Sequence, residues 1–245
     1  MATYNRPQYL SQVLHHLKNN ENLDKFFILT SEEPNCKDVS KLIENIDFIE
    51  VRRNINLEHL GCNKNIINAI NLAFKQYDKI VVLEDDTIPG KDFLNFFLWG
   101  FYNIKEEHGI HSLGAYNNCI QIPLSIKYDK IKYRNWFCPW AWGIWKYCWE
   151  QFDYSRCLES QKISWDIYLL NEYKKRGWLQ LYPLVGRCNN IGEVGTHVPS
   201  KSWHQDNQFC PVWVETIQHN PIKNFILQND ELLKYKRLND IVKNT

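Results

Sequence analysis

The sequence is poor in several things, and each shortage narrows what the chain can be. Neither sign of charge dominates its 245 residues: 29 Lys and Arg stand against 28 Asp and Glu, a formal net charge of +1. Without a basic field the chain has no charge-based hold on nucleic acid or on an anionic membrane. No apolar run approaches the ~18 residues of a membrane span, because the greasiest passage, Trp136 to Trp149, is broken by Pro139, Gly143 and Lys146. Eight cysteines occur, at 36, 62, 119, 138, 148, 157, 188 and 210, with no C-x-x-C pair and no His/Cys cluster at zinc spacing. A structural zinc site is therefore not expected. The opening Met1-Ala2-Thr3-Tyr4-Asn5-Arg6-Pro7 lacks the charged and apolar regions of a signal peptide. The expectation is a cytoplasmic protein with reduced, mostly buried thiols; peripheral attachment to a membrane is the alternative address.

What is present is an ordinary core and a surplus of aromatics. Hydrophobic residues make up 44% and charged residues 23%, close to globular usage. At roughly 150 residues per domain, the length suits one large domain or one domain with a C-terminal extension. Ten tryptophans, an aromatic content of 14% and 26 asparagines stand out. Aromatic faces and amide side chains are the groups with which proteins grip sugars, although an Asn- and Lys-rich composition also follows from AT-rich coding.

Apolar periodicity predicts alternating strands and helices. Leu10, Val13, Leu14 and Leu17 lie at helical spacing after Pro7, a residue suited to a first helical turn. Lys25 to Thr30 and Asp47 to Val51 read as strands, and Ile66, Ile67, Ile70, Ala73, Phe74 and Tyr77 form a helical stripe. Lys79 to Leu83 is β-branched without alternation, as in a strand covered on both faces. Asp92 to His108 reads as a helix, His111 to Ala115 as a strand and Ser164 to Lys175 as a helix. Beyond Pro221, Leu232, Leu233, Tyr235 and Leu238 suggest a terminal amphipathic helix. The alternation predicts an α/β sheet with parallel strands.

Glu84, Asp85 and Asp86 directly follow the KIVVL strand. In open α/β sheets ligands bind outside the carboxyl ends of strands. Crowded carboxylates are expensive to keep ionised, and a hard divalent cation, magnesium or manganese, removes that cost and in turn holds a diphosphate. The plain alternative is a polar loop that ends a strand. A phosphoacceptor Asp pair of the receiver kind would close the first strand of a much shorter chain.

In order along the chain, TYNRPQYL, LGCNKNI, KIVVLEDDTIPGKDFLNFF, WFCPWAWGIW, ISWDIYLL and NNIGEVGTH resemble the GT-A class of nucleotide-sugar-dependent glycosyltransferases, across roughly residues 3 to 197. Bacterial family 2-like enzymes and the eukaryotic N-acetylglucosaminyltransferase I group are nearest in pattern. The resemblance implies an α/β fold, a mostly parallel open sheet with helices on both faces. Its first strand is cut short, since only Met1, Ala2 and Thr3 precede Tyr4. A GT-A domain would span 1–220, with 1–115 holding the nucleotide sugar and 116–220 the acceptor, followed by a helical extension over 221–245.

The same resemblance implies roles. Asn5 and Arg6 would lie against the nucleobase or ribose, Glu32 with Ser31 would read the base, and Lys64 or Asn65 would face the nucleotide at a helix start that favours phosphate. Glu84, Asp85 and Asp86 match the metal motif, with Asp86 the best direct ligand and His197 completing the shell around Mn2+ or Mg2+. Asp166 resembles the catalytic base of inverting members. Most aromatic residues between Trp136 and Trp149 are expected in the core, because such residues dominate buried area, with Trp140 and Trp142, and Trp165 beyond them, lining the acceptor side. The implied partners are a nucleoside diphosphate sugar and a glycan, lipid-linked or protein hydroxyl acceptor, with no nucleic acid. A non-catalytic, degenerate carbohydrate- or nucleotide-sugar-binding protein is the alternative. A sugar-nucleotide pyrophosphorylase would need a Gly-rich loop where Asn5-Arg6-Pro7 stands.

Overall fold

In the computed structural model, which describes residues 1–118, 128–159, 163–194, 198–211, 213–216 and 220–227, strand β1 (Ala2–Thr3) leads through a short loop into helix α1 (Pro7–Lys18). Pro7 presets the backbone of the first turn, where its missing N–H would have no partner, and Leu10, Val13, Leu14 and Leu17 bury one face. Strands β2 (Ile28–Leu29) and β3 (Ser31–Glu32) form one extended segment around Thr30. Helix α2 (Lys37–Glu44), strand β4 (Val51–Arg52), helix α3 (Gly61–Phe74) and strand β5 (Lys79–Val82) follow. The expected strand at Lys25 to Thr30 is thus displaced toward Glu32, because Leu23–Lys25 closes a 3-10 turn. The strand expected from Asp47 starts only at Val51.

The rest of the described chain adds β6 (Thr87–Pro89), α4 (Phe93–Asn103), β7 (Ile110–Gly114), β8 (Lys130–Arg134), β9 (Trp142–Trp145) and α5 (Lys146–Trp149). Then come α6 (Ser155–Glu159), α7 (Trp165–Arg176), β10 (Leu179–Pro183), β11 (Cys188–Asn190), α8 (Lys201–Asn207) and β12 (Ile226–Leu227). Helix α7 stops where Gly177 turns left-handed at φ 67°, a conformation that costs glycine little.

The class is α/β, as expected, and the pairing is mixed. A six-stranded sheet runs in the order β12-β8-β10-β7-β9-β5. β7 and β10 are parallel, as are β8 and β12, whereas β9 lies antiparallel to both β5 and β7. In the N-terminal half β1 pairs parallel with β3, and β2 parallel with β4. The hairpin-like pair β6 and β11 brings Cys188–Asn190 beside the segment after the acidic loop.

One expectation about burial is corrected. The KIVVL strand is not covered throughout: Lys79 is exposed and Ile80 and Val81 are half-buried, because one edge of β5 faces a cavity. The aromatic segment is mostly core, since β9 sits between two strands and all four of its residues are buried. No disulfide links the described cysteines. The terminal helix expected at Leu232, Leu233, Tyr235 and Leu238 lies outside the described residues, but β12 adds to β8 and Phe225 enters the core. No helix among the described residues is long and apolar enough to cross a membrane.

Candidate active site

The turn after β5 carries Glu84, Asp85 and Asp86, and the loop after β1 delivers Arg6 onto it. Arg6 donates to Asp86 Oδ2 at 2.6 Å and to Asp85 Oδ1, so one guanidinium ties two neighbouring carboxylates. Both acids are buried while Arg6 is partly exposed. The planar fork of arginine suits such a bridge better than the point charge of lysine. Asp86 is held from the other side as well: Ile191 N–H donates to its carbonyl at 2.8 Å, and a Cβ added at Gly192 would lie 2.4 Å from its Oδ2. Only glycine leaves room there. The 191–194 loop is anchored in turn by Val194 N–H on the Tyr9 hydroxyl at 3.1 Å.

Electrostatics mark the same place. Burial, followed by Asp86, Asp166 and Asp85, pushes the Glu84 carboxyl well above the usual carboxylate range, with Arg6 opposing. Burial pushes Asp85 up to about 6, against the charge of Arg6 and the backbone N–H of Tyr4. Asp166, in the first turn of α7 some eighty residues later in the chain, acts on the Glu84 carboxyl in the same sense as Asp85 and Asp86. Asn63 ties α3 to the start of α7: its Nδ2 donates to Ile163 O and its Oδ1 accepts from Trp165 N–H, both at 2.9 Å.

The residues fit a divalent cation in their chemistry. Asp86 Oδ1 is buried with no hydrogen-bond partner, and three clustered acids plus Asp166 exceed the single positive charge of Arg6. Hard oxygen donors of this kind suit magnesium or manganese. Among the described residues no group of three or more His, Cys, Asp or Glu is arranged so that it could hold a metal ion, and His197 lies outside the described residues.

Other expected site residues are placed differently. Asn5 is exposed near Arg6, and Lys64 is exposed on α3. Glu32 is 2% exposed, and both of its oxygens are taken by Arg53, Ser40 and Thr30. Ser31 donates to Asn65 Oδ1 at 2.6 Å, and Asn65 donates to Thr3 O at 3.3 Å. Ser31 and Asn65 therefore stitch β3, β1 and α3 together inside the protein. The start of α3 does not offer its first amides to a phosphate, because the buried carboxylate of Glu33 accepts from Leu60 N–H and Gly61 N–H at 2.9 and 2.8 Å.

The expected acceptor tryptophans divide. Trp142 is 0% exposed and stacks on buried Trp165 at 6.1 Å, so neither presents a face to a sugar: Trp142 lies on a central strand, and Trp165 is buried at the start of the helix that covers it. Trp140 is half-buried, edge-on to Tyr116 at 4.7 Å. Trp136 is 42% exposed, with Arg134 stacked over it at 4.2 Å. Beneath them Gln180 accepts from Arg134 Nε and Cys138 N–H and donates to Ser112 Oγ, which fixes the loop that carries both rings.

No protein-family model matches the chain, and no curated protein matches its sequence. Solved structures do match. The crystal structure of S. aureus TarS 1–349 is 17% identical, covering 51% of this chain and 37% of that one, with a TM-score of 0.39. The same protein in complex with UDP-GlcNAc is 17% identical over 51% and 36% of the two chains, with a TM-score of 0.38. The mannosyltransferase PcManGT from Pyrobaculum calidifontis, in complex with GDP-Man and Mn2+, is 14% identical over 61% and 44%, with a TM-score of 0.45. The chain spans less than half the length of each of these structures.

Several residues around the site had no signal in the sequence. Asn63 stands one residue from Lys64 in an Asn-rich turn, and nothing in its neighbours tells a clamp from a surface amide. Arg53 is one of two adjacent arginines, of which only it meets Glu32. His204 is buried, its Nε2 lies 2.8 Å from Asn190 Oδ1, and burial lowers its pKa while Glu193 and Asp86 raise it. A buried histidine of α8 paired with Asn190 of β11 is invisible without the tertiary fold.

Proposed function

We propose that this chain transfers a glycosyl group from a nucleoside diphosphate sugar to a hydroxyl acceptor, with inversion at the anomeric carbon and with the help of a divalent cation. One observation carries this reading: Arg6, Glu84, Asp85, Asp86 and Asp166 converge at the carboxyl ends of the strands, with one buried oxygen of Asp86 left over. Asp86, with Asp85 and Glu84 beside it, would hold manganese or magnesium, which when bound stabilises the negative charge of the departing diphosphate. Asp166, partly exposed in the first turn of α7, takes the proton from the acceptor hydroxyl as that oxygen attacks the anomeric carbon. Arg6 holds the Asp85 and Asp86 carboxylates aligned. Trp136 and Trp140 are the aromatic faces left for the acceptor. The solved neighbours were captured with GDP-Man and UDP-GlcNAc, so guanosine and uridine donors are the first to test.

A second reading is a chain that binds a sugar nucleotide without turning it over. The pairing of Glu32 with Arg53, which leaves no oxygen to read a base, favours it. Thermal shifts with UDP- and GDP-sugars, with and without manganese, followed by a transfer assay, separate the two, since a ligand of the folded state raises its stability. Transfer that is lost in Asp86→Ala and Asp166→Asn, with donor binding kept in the latter, supports the enzyme. Binding without turnover supports the second reading, and full activity of Asp166→Asn sinks the base assignment.

A further inference from the structure

Strand β8 reads Lys-Ile-Lys-Tyr-Arg, and its side chains alternate between the two faces of the sheet. Ile131 is fully buried and shares the core with Leu181 of β10. The opposite face therefore carries Lys130, Lys132 and Arg134, with successive cations roughly 7 Å apart along the strand. The register sets Gln180 against Arg134 and Tyr182 against Lys132. Neither β8 nor β10 contains an acid. Among the described residues neither lysine forms an ion pair, and Asp129, the adjacent acid in the chain, acts on Arg187 instead.

Arg134 is the residue that asks for a ligand. Its side chain is buried, yet its partners are neutral: Gln180 Oε1 accepts from Nε at 2.9 Å and from Nη2 at 2.6 Å, and Tyr116 O accepts from Nη2 at 3.3 Å. The guanidinium carbon lies 4.2 Å from the ring centre of Trp136 and 4.7 Å from that of Tyr182, and aromatic faces attract a cation without neutralising it. Burial lowers the Arg134 pKa, and no carboxylate is among the groups that oppose this. Arg187 is the contrast within the same protein, equally buried but paired with Asp92 at 3.1 Å. A buried charge is costly without a partner of opposite sign. The fold nonetheless makes room for this one, since a Cβ at Gly114 would stand 2.6 Å from Gln180 Oε1 and 2.9 Å from Arg134 Nη2.

Contacts connect this face to the candidate active site. Arg134 holds the Tyr116 carbonyl, the Tyr116 ring meets Trp140 edge-on at 4.7 Å, and Trp140 O accepts from Cys188 Sγ at 3.7 Å. Cys188 opens β11, which pairs with β6 directly after the acidic turn. We propose that the acceptor is anionic: phosphate or carboxylate groups on its successive units lie along Lys130, Lys132 and Arg134, and Trp136 stacks on a sugar ring. This assignment rests on the transferase reading above and names the acceptor class for it. With a net charge of +1 the chain has no general field for anions, so such recognition is local.

The test measures binding to the 245-residue protein by calorimetry, with maltohexaose and two derivatives of it, one phosphorylated and one oxidised to carboxylate at the primary hydroxyls. An anionic derivative should bind where maltohexaose does not, and which of the two binds identifies the group. Its affinity should fall as salt rises from about 0.01 to about 0.15 M, which shortens the screening length from ~30 to ~8 Å. Lys130→Gln combined with Lys132→Gln should weaken it about 10-fold or more, the worth of a charged hydrogen bond, while UDP- and GDP-sugars shift the melting midpoint as in the parent. Both lysines are half-buried, so this variant keeps the test independent of Arg134→Lys, which should also bind more weakly because it loses the planar fork. A donor that binds while neither derivative does, equal binding of maltohexaose, or unchanged affinity in the double lysine variant overturns the proposal. Displacement of the derivative by a thymidine hexanucleotide at equal concentration would assign the face to nucleic acid and overturn it too. Failure of the transferase reading looks different: the derivative binds through the lysines, but no donor shifts the midpoint and no sugar is transferred, which leaves an anion site and removes its role as acceptor site.

Discussion

The side-chain oxygen of Asn63 in α3 accepts the backbone N–H of Trp165 at 2.9 Å, and its amide nitrogen donates to the carbonyl of Ile163. One asparagine thus grips the chain just before Asp166. Trp165 opens α7, and the Ser164 side chain provides no cap bond of its own. A first-turn amide left without a local partner is satisfied here from another helix, and the position of the proposed base is inherited from α3.

The Asn63→Ala variant should therefore separate positioning from binding. We expect kcat for transfer to fall on the order of 10- to 100-fold, as small misplacements of a catalytic group do, with donor affinity unchanged and stability lower by about 1 kcal/mol. Steady-state kinetics beside a donor-binding isotherm check this. A variant that melts earlier but keeps its kcat would make Asn63 a structural clamp only.

The fully buried pair of Arg187 and Asp92, 3.1 Å apart, fastens the loop before β11 to the start of α4, and Asp92 also accepts from Ile222 N–H at 3.0 Å. Removing one member of a buried pair strands the other charge, at a cost of about 3–5 kcal/mol. Arg187→Met should lower stability by that much in urea unfolding, and Asp92→Leu added to it should recover part of the loss. Equal stability of the single variant and the parent would contradict the pairing.

His111 in β7 stacks on Trp178 at 4.6 Å, and burial lowers its pKa to about 4, with Arg176 acting in the same direction and the Gly109 carbonyl opposing. The folded protein holds this histidine neutral, while the unfolded chain protonates it near pH 6.5. Between those values the unfolded state binds more protons, so stability is full above about pH 6.5 and declines as the pH falls toward 4. Melting midpoints at pH 7.5 and pH 5 should show a smaller drop for His111→Phe than for the parent. Identical drops would place the acid sensitivity elsewhere.

Much of this was written in local sequence, and the division follows physical range. Helix α1 is determined by Pro7 and four apolar residues at helical spacing, and β5 with its acidic turn by a β-branched run followed by three carboxylates; neither needs a distant partner. The aromatic segment is core as its composition suggests, but which of its rings faces a cleft is not local information, and Trp142 lies in the centre of a sheet. Glu32 and Glu33 are adjacent acids that local reading cannot tell apart. One faces Arg53 and the other the first amides of α3, since successive side chains of a strand point opposite ways. Composition and periodicity alone determined an α/β chain with an acidic strand tip. Only the tertiary structure decided that Arg6 meets that tip and that Asn63 grips the chain before Asp166, because such contacts form between segments far apart in the chain.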